Sequence, residues 1–196
     1  MCNGRSEKKA EALREWRGGL TADEQTIAEV ALKLLDVFVR PLEAMAMCYR
    51  LTFFLAEYLQ DRHAISVDAV VGYINDGTGD LMASHAWVES CGKRVDLAPA
   101  FTEHPTAQLP GEVVVLDRVV RAGTRYSYHR ERSPEALKAI LDLNSDPIFA
   151  ALAQHKEEEH LTMTARSQNA ALRLAYLNAA PDGFDYARLA AMVEGT

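Results

Sequence analysis

Apolar positions along the chain follow helical spacing first, strand spacing next and helical spacing again towards the end. Between Thr21 and Pro41 they recur every three or four residues, and a second pattern of this kind runs from Met47 to Leu59. This spacing is typical of amphipathic helices, with Thr21 suited to the N-terminal cap and Pro41 to the end of the first one. The sequence therefore predicts two helices, and Cys48 stands at the head of the second.

The next segment has the composition and turn signals of antiparallel strands. Residues 65–73 are rich in β-branched side chains and lead into the turn sequence 75–80. We expect a hairpin here, followed by a strand that carries His85, a tight turn at 91–93 and a third strand over 94–97. Strand periodicity places His85 and the alternate residues after it on one face of the sheet.

Two more strands and a set of helices complete the pattern. The run 112–120 predicts a fourth strand and 125–129 a fifth. From Ser133 onward the spacing is helical again, and both Ser133 and Asp146 are capping residues that precede a proline suited to a first helical turn.

These elements predict an α+β fold in which helices pack on an antiparallel sheet of four or five strands. We divide the chain into a polar N-terminal arm at 1–20, a core at 21–132 and a helical C-terminal extension at 133–196 that packs on the core. Those C-terminal helices are also the surface where we expect any homo-oligomer to form.

Composition and net charge argue against several classes of function. The chain has 196 residues, of which 48% are hydrophobic, and this is enough for a substantial core. A net charge of −7 without a basic stripe argues against nucleic-acid binding. No apolar run approaches the roughly 18 to 20 residues that cross a bilayer, and no signal core opens the chain, so we expect a cytoplasmic protein without membrane contact.

The cysteine and histidine pattern argues against a metal site or a disulfide framework. Cys2, Cys48 and Cys91 make an odd count without a CxxC pair, which suits a reducing compartment and free thiols. His155 and His160 lie five positions apart and so on different sides of a helix, which predicts a solvated helix face. We therefore expect neither a metal nor another cofactor.

Cys48, His85 and Asp96 supply the three parts of an activated cysteine nucleophile. A helix N-terminus and an imidazolium partner both favour the thiolate form of a cysteine. His85 can take the thiol proton, and Asp96 on the following strand can orient the imidazole and stabilise its charge. If the chain turns at 91–93, Asp96 comes opposite a residue near Val88, and a bulge or diagonal pairing would allow its side chain to contact His85.

The residues around this trio carry a family resemblance. The Cys-led helix, Val71-Gly72-Tyr73, the string His85-Ala86-Trp87-Val88-Glu89, then Gly92, Asp96 and Pro99, resemble the core of the transglutaminase-like superfamily and its bacterial cysteine peptidases. The resemblance covers about residues 42 to 100. It implies a papain-like fold with Cys48 as nucleophile, His85 as general base and acid, and Asp96 as the orienting carboxylate.

From the residues and this resemblance together we expect a cysteine-dependent enzyme that hydrolyses a peptide or amide bond. Its substrate would be a peptide or protein, with Trp87 and Tyr49 beside it in the cleft. The backbone N–H of Cys48 is one candidate oxyanion donor, and Trp16 is the candidate for the donor that the family takes from an upstream side chain. The alternative is a non-catalytic scaffold that uses the same cleft to hold a peptide or a partner protein.

Overall fold

The computed structural model describes residues 3–103, 105, 108–180 and 183–196, with side chains from residue 11 onward. Within these residues the chain forms seven α-helices and one curled, six-stranded antiparallel sheet. The predicted α+β class is confirmed, and the sheet has one strand more than expected. Cys2 lies outside the described residues.

Three helices precede the sheet. They are α1 (Asn3–Gly18), α2 (Ala22–Leu34) and α3 (Cys48–His63). The predicted N-terminal arm is thus largely helical. Thr21 caps α2 through a capping box, because Glu24 N–H donates to its hydroxyl at 3.3 Å and its own N–H donates to the Glu24 carboxylate at 2.9 Å. The helical chain does not end at Leu34, because α2 continues directly into a π-helical segment, Leu35–Val39. The loop that leads to α3 follows this segment.

The sheet is built from short strands around one long hairpin. The strands are β1 (Asp68–Asn75), β2 (Ala83–Ser90), β3 (Lys93–Asp96), β4 (Val113–Val115), β5 (Arg118–Arg121) and β6 (Ser127–His129), in the spatial order β5-β4-β3-β2-β1-β6. In the β1–β2 hairpin Gly72 lies opposite His85, and in the β2–β3 hairpin Val88 lies opposite Val95. The fifth strand of the prediction is β6, which pairs with β1 and leaves β5 at the far edge.

The single strand expected over 112–120 is wrong, because the chain reverses in the middle of it. Leu116 and Asp117 both have positive φ, 49° and 61°, and form a two-residue turn between β4 and β5. The sequence does not predict this turn, because Leu116 is not a typical turn residue and neither Gly nor Pro stands between the valines of β4 and those of β5. Asp117 is held in place by Arg94, whose N–H donates to the Asp117 carboxylate at 3.1 Å.

Four helices follow the sheet: α4 (Pro134–Leu143), α5 (Pro147–Ser167), α6 (Ala170–Asn178) and α7 (Tyr186–Glu194). Ser133 and Asp146 cap α4 and α5 as expected, through hydrogen bonds at 3.1 Å and 2.8 Å to backbone N–H groups. α5 packs on β1 and α6 packs on α3. An ion pair between Arg173 and Glu57, 2.5 Å from Nε to Oε1, joins α6 to α3.

The main hydrophobic core lies between α3 and one face of the sheet. Phe53, Phe54 and Leu59 of α3 are fully buried, as are Ala86 and Val88 on β2. Side chains on a strand alternate between faces, so His85 and Trp87 of β2 lie on the face opposite to Ala86 and Val88, as predicted. That opposite face carries the polar residues of the candidate site.

Candidate active site

Cys48 is the first residue of α3 and lies half-buried at its N-terminus. The preceding residue, Met47, provides no side-chain cap, and the first backbone N–H groups of any α-helix have no acceptor within the helix. The loop before it contains two non-glycine residues with positive φ, Glu43 at 45° and Ala46 at 52°. Such strained backbone close to a reactive side chain is common at functional sites.

His85 and Asp96 form a buried hydrogen-bonded pair on neighbouring strands. His85 Nε2 lies 2.7 Å from Asp96 Oδ2, and the two residues are only 6% and 2% exposed. The register that pairs Val88 with Val95 puts Asp96 on the diagonal from His85. The contact expected from the sequence is therefore present, and its source is the tight turn between β2 and β3.

Asp96 accepts two further hydrogen bonds that fix its carboxylate. The Tyr128 hydroxyl donates to Oδ2 at 2.7 Å, and the Ala98 N–H donates to Oδ1 at 3.2 Å. Tyr128 reaches Asp96 from β6 because the sheet curls, and the Arg94 guanidinium covers its ring at 3.6 Å. Sequence reasoning missed Tyr128, since nothing in a short, polar strand predicts which neighbour the sheet will bring to it.

The electrostatics of this network favour a positively charged His85. Burial alone disfavours the charge, but the Asp96 carboxylate outweighs it and the Cys48 thiol acts in the same direction, so the pKa of His85 rises to about 10. Burial, and then the Asp96 charge, raise the pKa of the Tyr128 hydroxyl, which therefore remains a hydrogen-bond donor.

Cys48 acts on the charge of His85, because it is among the groups that raise the pKa of the imidazole, after Asp96. Among the described residues the hydrogen bond of the ring goes to Asp96, and none joins the ring to the Cys48 thiol. The structure thus shows a His85–Asp96 pair on which the Cys48 thiol exerts an electrostatic effect. This arrangement can activate a thiol and then transfer its proton.

A second polar chain lies on the other side of β2, next to the trio. The hydroxyls of Tyr49 and Ser84 are 2.7 Å apart, and Ser84 Oγ is 2.6 Å from His160 Nδ1 on α5. His160 is buried and stacks on the Tyr73 ring with centroids 4.3 Å apart, so the predicted solvated face is wrong at this position. α5 packs on β1, and the spacing of apolar residues in this helix does not predict that contact.

Three residues assigned to the substrate cleft or oxyanion site lie in different surroundings. Tyr49 is buried, with its hydroxyl bonded to Ser84. Trp87 is 2% exposed, and its indole N–H donates to Glu89 at 2.7 Å, so in this conformation it supports the sheet and presents no cleft wall. Trp16 packs beside Arg118 on β5, three strands away from β2, and is therefore not placed to donate at the site.

The described residues contain no cluster of three or more His, Cys, Asp or Glu side chains arranged to hold a metal ion, and no helix among them is both long and apolar enough to cross a membrane. Cys48 and Cys91 are free thiols.

The fold and the site define an α+β protein with a buried His-Asp pair beside a half-buried thiol. Comparison of the chain with protein-family models, curated proteins and solved structures finds no match.

Proposed function

We propose that this protein is a cysteine-dependent hydrolase of peptide or amide bonds, with the papain-like arrangement of the transglutaminase-like superfamily. The observation that carries the proposal is the juxtaposition of the Cys48 thiol with a buried His85 that is bonded to Asp96 at 2.7 Å. Burial of a carboxylate carries a large desolvation penalty, and a role in orienting a catalytic imidazole explains why Asp96 occupies a buried position.

In the proposed reaction, the Cys48 sulfur attacks the substrate carbonyl carbon after its proton has passed to His85. The developing oxyanion accepts a hydrogen bond from the backbone N–H of Cys48, which is free at the start of α3. His85 then gives the proton to the leaving nitrogen, the C–N bond breaks, and a thioester remains. Water attacks this thioester while His85 accepts its proton, and the thiol and a carboxylic acid are released.

Asp96 and Tyr128 serve as positioning residues in this scheme. Asp96 holds the His85 ring through Nε2, so the other ring nitrogen is the one available to the thiol. Tyr128 and Ala98 in turn fix the carboxylate. We further propose a cytoplasmic location, where the free Cys48 thiol stays reduced.

Cys91 gives a matched control within the same chain for testing the nucleophile. It is an exposed free thiol in the β2–β3 turn, whereas Cys48 is half-buried. Alkylation of the folded protein by limiting iodoacetamide at pH 7, followed by peptide mapping, should modify Cys48 about tenfold or more faster than Cys91, because the thiolate is the reactive form. His85→Ala should slow Cys48 to the rate of Cys91 and leave Cys91 unchanged. Equal rates in the native protein would overturn the activated nucleophile.

Hydrolysis needs its own test. A peptide mixture incubated with the protein should yield new N-termini, and the Cys48→Ala variant should yield none; circular dichroism confirms that this variant is folded. Cleavage that persists in Cys48→Ala, or no cleavage by native protein with a reactive Cys48, would contradict the hydrolase.

A second candidate function is a non-catalytic module that holds a peptide or a partner protein. It is favoured by large apolar side chains that lie exposed on α4 and α5, including Leu141 and Ile148. If that surface forms a homo-oligomer, light scattering on the native protein will give a multiple of 21.7 kDa, and Ile148→Glu will give the monomer mass. A cellular phenotype retained by Cys48→Ala and lost by Ile148→Glu would favour this module over the enzyme.

A further inference from the structure

Arg50 is a buried cation that lacks an ion-pair partner among the residues that the structure describes. It follows Cys48 by two residues in the first turn of α3 and is only 6% exposed. Its Nε and Nη1 atoms are inaccessible to solvent and have no hydrogen-bond partner among the described residues. Buried guanidinium groups are normally paired, because an unpaired buried charge is costly. The side chain therefore has an unused capacity to bind an anion.

A second cation, Arg166, lies beside the same aromatic ring as Arg50. Arg166 of α5 lies over the Tyr176 ring at 4.9 Å, and Arg50 lies 5.8 Å from the centroid of that ring. Together they line a surface pocket of about 380 Å³ whose other walls are Leu172, Ala175, Tyr176 and Ala179. The part of the chain that the structure describes contributes no acidic side chain to the lining of this pocket. The carboxylate of Glu159 helps to raise the pKa of the Tyr176 hydroxyl, and this carboxylate forms an ion pair with Lys156 at 2.8 Å.

The pocket lies at the same end of α3 as the candidate nucleophile, because Arg50 follows Cys48 by two residues in the first turn of that helix. Burial raises the pKa of the Tyr176 hydroxyl in the pocket wall. Arg50 also stands at the N-terminal end of α3, where the helix dipole favours negative charge. A planar guanidinium matches a carboxylate in a bidentate pair, and the apolar walls suit the carbon atoms that carry such a group.

We propose that this pocket binds a carboxylate group, with Arg50 as its principal partner and Arg166 as a second positive charge. The carboxylate is either the C-terminus of a peptide or the side chain of an acidic residue. Binding at the pocket does not require catalysis; that the bound peptide is the substrate of Cys48 rests on the function proposed above. In that case the pocket selects substrates with a carboxylate close to the bond that is cleaved.

The proposal can be tested by binding to the Cys48→Ala protein, which cannot consume the ligand. The probes are acetyl-Ala-Ala with a free C-terminal carboxylate, its C-terminal amide, and acetyl-Ala-Glu amide, which carries the carboxylate on its side chain. Binding is followed by NMR through the arginine Nε–H signals. We expect at least one carboxylate probe to bind about tenfold or more tighter than the neutral amide. The tighter of the two carboxylate probes identifies the source of the group.

Arg50→Met separates a binding role from a structural one. Methionine keeps the apolar stem and removes a buried charge that has no partner, so the melting temperature of the free protein should stay the same or rise. Carboxylate binding should fall about tenfold or more. Arg125→Met, at an exposed position outside the pocket lining, is the matched control and should retain binding.

Equal binding of carboxylate and amide probes would overturn the pocket, as would an undiminished carboxylate preference in Arg50→Met. A lower melting temperature for Arg50→Met in a protein that ignores all probes would assign Arg50 a structural role instead. The two proposals can fail independently. If the carboxylate probes bind but Cys48 is unreactive, the hydrolase is refuted and the binding pocket stands. If Cys48 is reactive but the protein shows no preference for carboxylates, the pocket is refuted and the hydrolase stands.

Discussion

Replacing Asp96 by Asn should change the protonation state of His85 without changing the shape of the site. The carboxylate accepts hydrogen bonds from His85, Tyr128 and Ala98 in the native protein. Asparagine keeps the volume and one acceptor oxygen but carries no charge. Since the Asp96 charge is the main effect that opposes burial at His85, its removal leaves burial opposed only by the smaller effect of Cys48, and the pKa of His85 should fall.

The size of the effect follows from the pKa values. With a pKa of about 10, more than about 99% of the His85 rings carry the positive charge at pH 7.5. A His85 with the ordinary pKa of about 6.5 would carry the charge in only about 10% of the molecules at the same pH, and removal of the Asp96 charge should move the ring towards that state. The same change should slow alkylation of Cys48 and leave Cys91 unaffected.

The change also appears in the pH dependence of stability. A histidine whose pKa is raised by folding stabilises the folded state below its unfolded pKa, and this stabilisation is lost as the pH rises through the folded value. The native protein should therefore lose up to about 1.4 kcal/mol per pH unit between about pH 6.5 and 10, and Asp96→Asn should lose less over that range. Urea unfolding at several pH values measures this, and NMR titration of the His85 ring nitrogens measures the pKa directly. A native His85 that titrates below pH 7 would refute the reasoning.

Three further predictions concern the surroundings of the site. Tyr128→Phe removes a hydrogen bond to a charged acceptor and should lower the free energy of unfolding by about 1.5–3 kcal/mol in urea titration; no change would contradict the bond. Gly72→Ala should cost about 1–3 kcal/mol, because a Cβ there would lie 2.4 Å from a backbone oxygen, whereas Gly79→Ala, with open space around it, is the control and should melt close to the native temperature. Burial lowers the pKa of His160, so the unfolded chain takes up its proton first as the pH falls below about 6.5. Native stability should therefore fall more steeply than that of His160→Gln from pH 7 to 5, and parallel curves would count against the buried ring.

The contact between His85 and Asp96 could be predicted from the sequence because it lies within one hairpin. Two tight hairpins determine which residues lie opposite one another, and turn residues at 75–80 and 91–93 mark both. A three-residue turn at 91–93 would place Asp96 opposite a residue near Val88. The observed pairing of Ser90 with Lys93 leaves a two-residue turn, which shifts Asp96 by one position to the diagonal of His85. Helical spacing and a loop ending at Met47 likewise place Cys48 at a helix N-terminus.

The missed contacts are all between elements distant in the sequence. Tyr128 reaches Asp96 because the sheet curls, and His160 reaches Ser84 because α5 packs on β1. Neither the curl of a sheet nor the docking of a particular helix follows from the hydrophobic pattern of one chain. The buried position of Trp87 has the same origin, since the curl brings Tyr128 to within 5.2 Å of its ring.

The charged groups around Cys48 are better explained by function than by stability. Replacing a buried ion pair with apolar residues of the same size is often neutral or stabilising, so a fold that needed only a core could omit His85 and Asp96. The same reasoning applies to Arg50, whose buried Nε and Nη1 atoms have no hydrogen-bond partner among the described residues. Cys48 acts on the charge of His85 and precedes Arg50 by two residues, and the loop before Cys48 contains the strained residues Glu43 and Ala46. Buried charges and strained backbone each destabilise a fold. Their occurrence near one side chain is expected where the structure serves a reaction at that side chain.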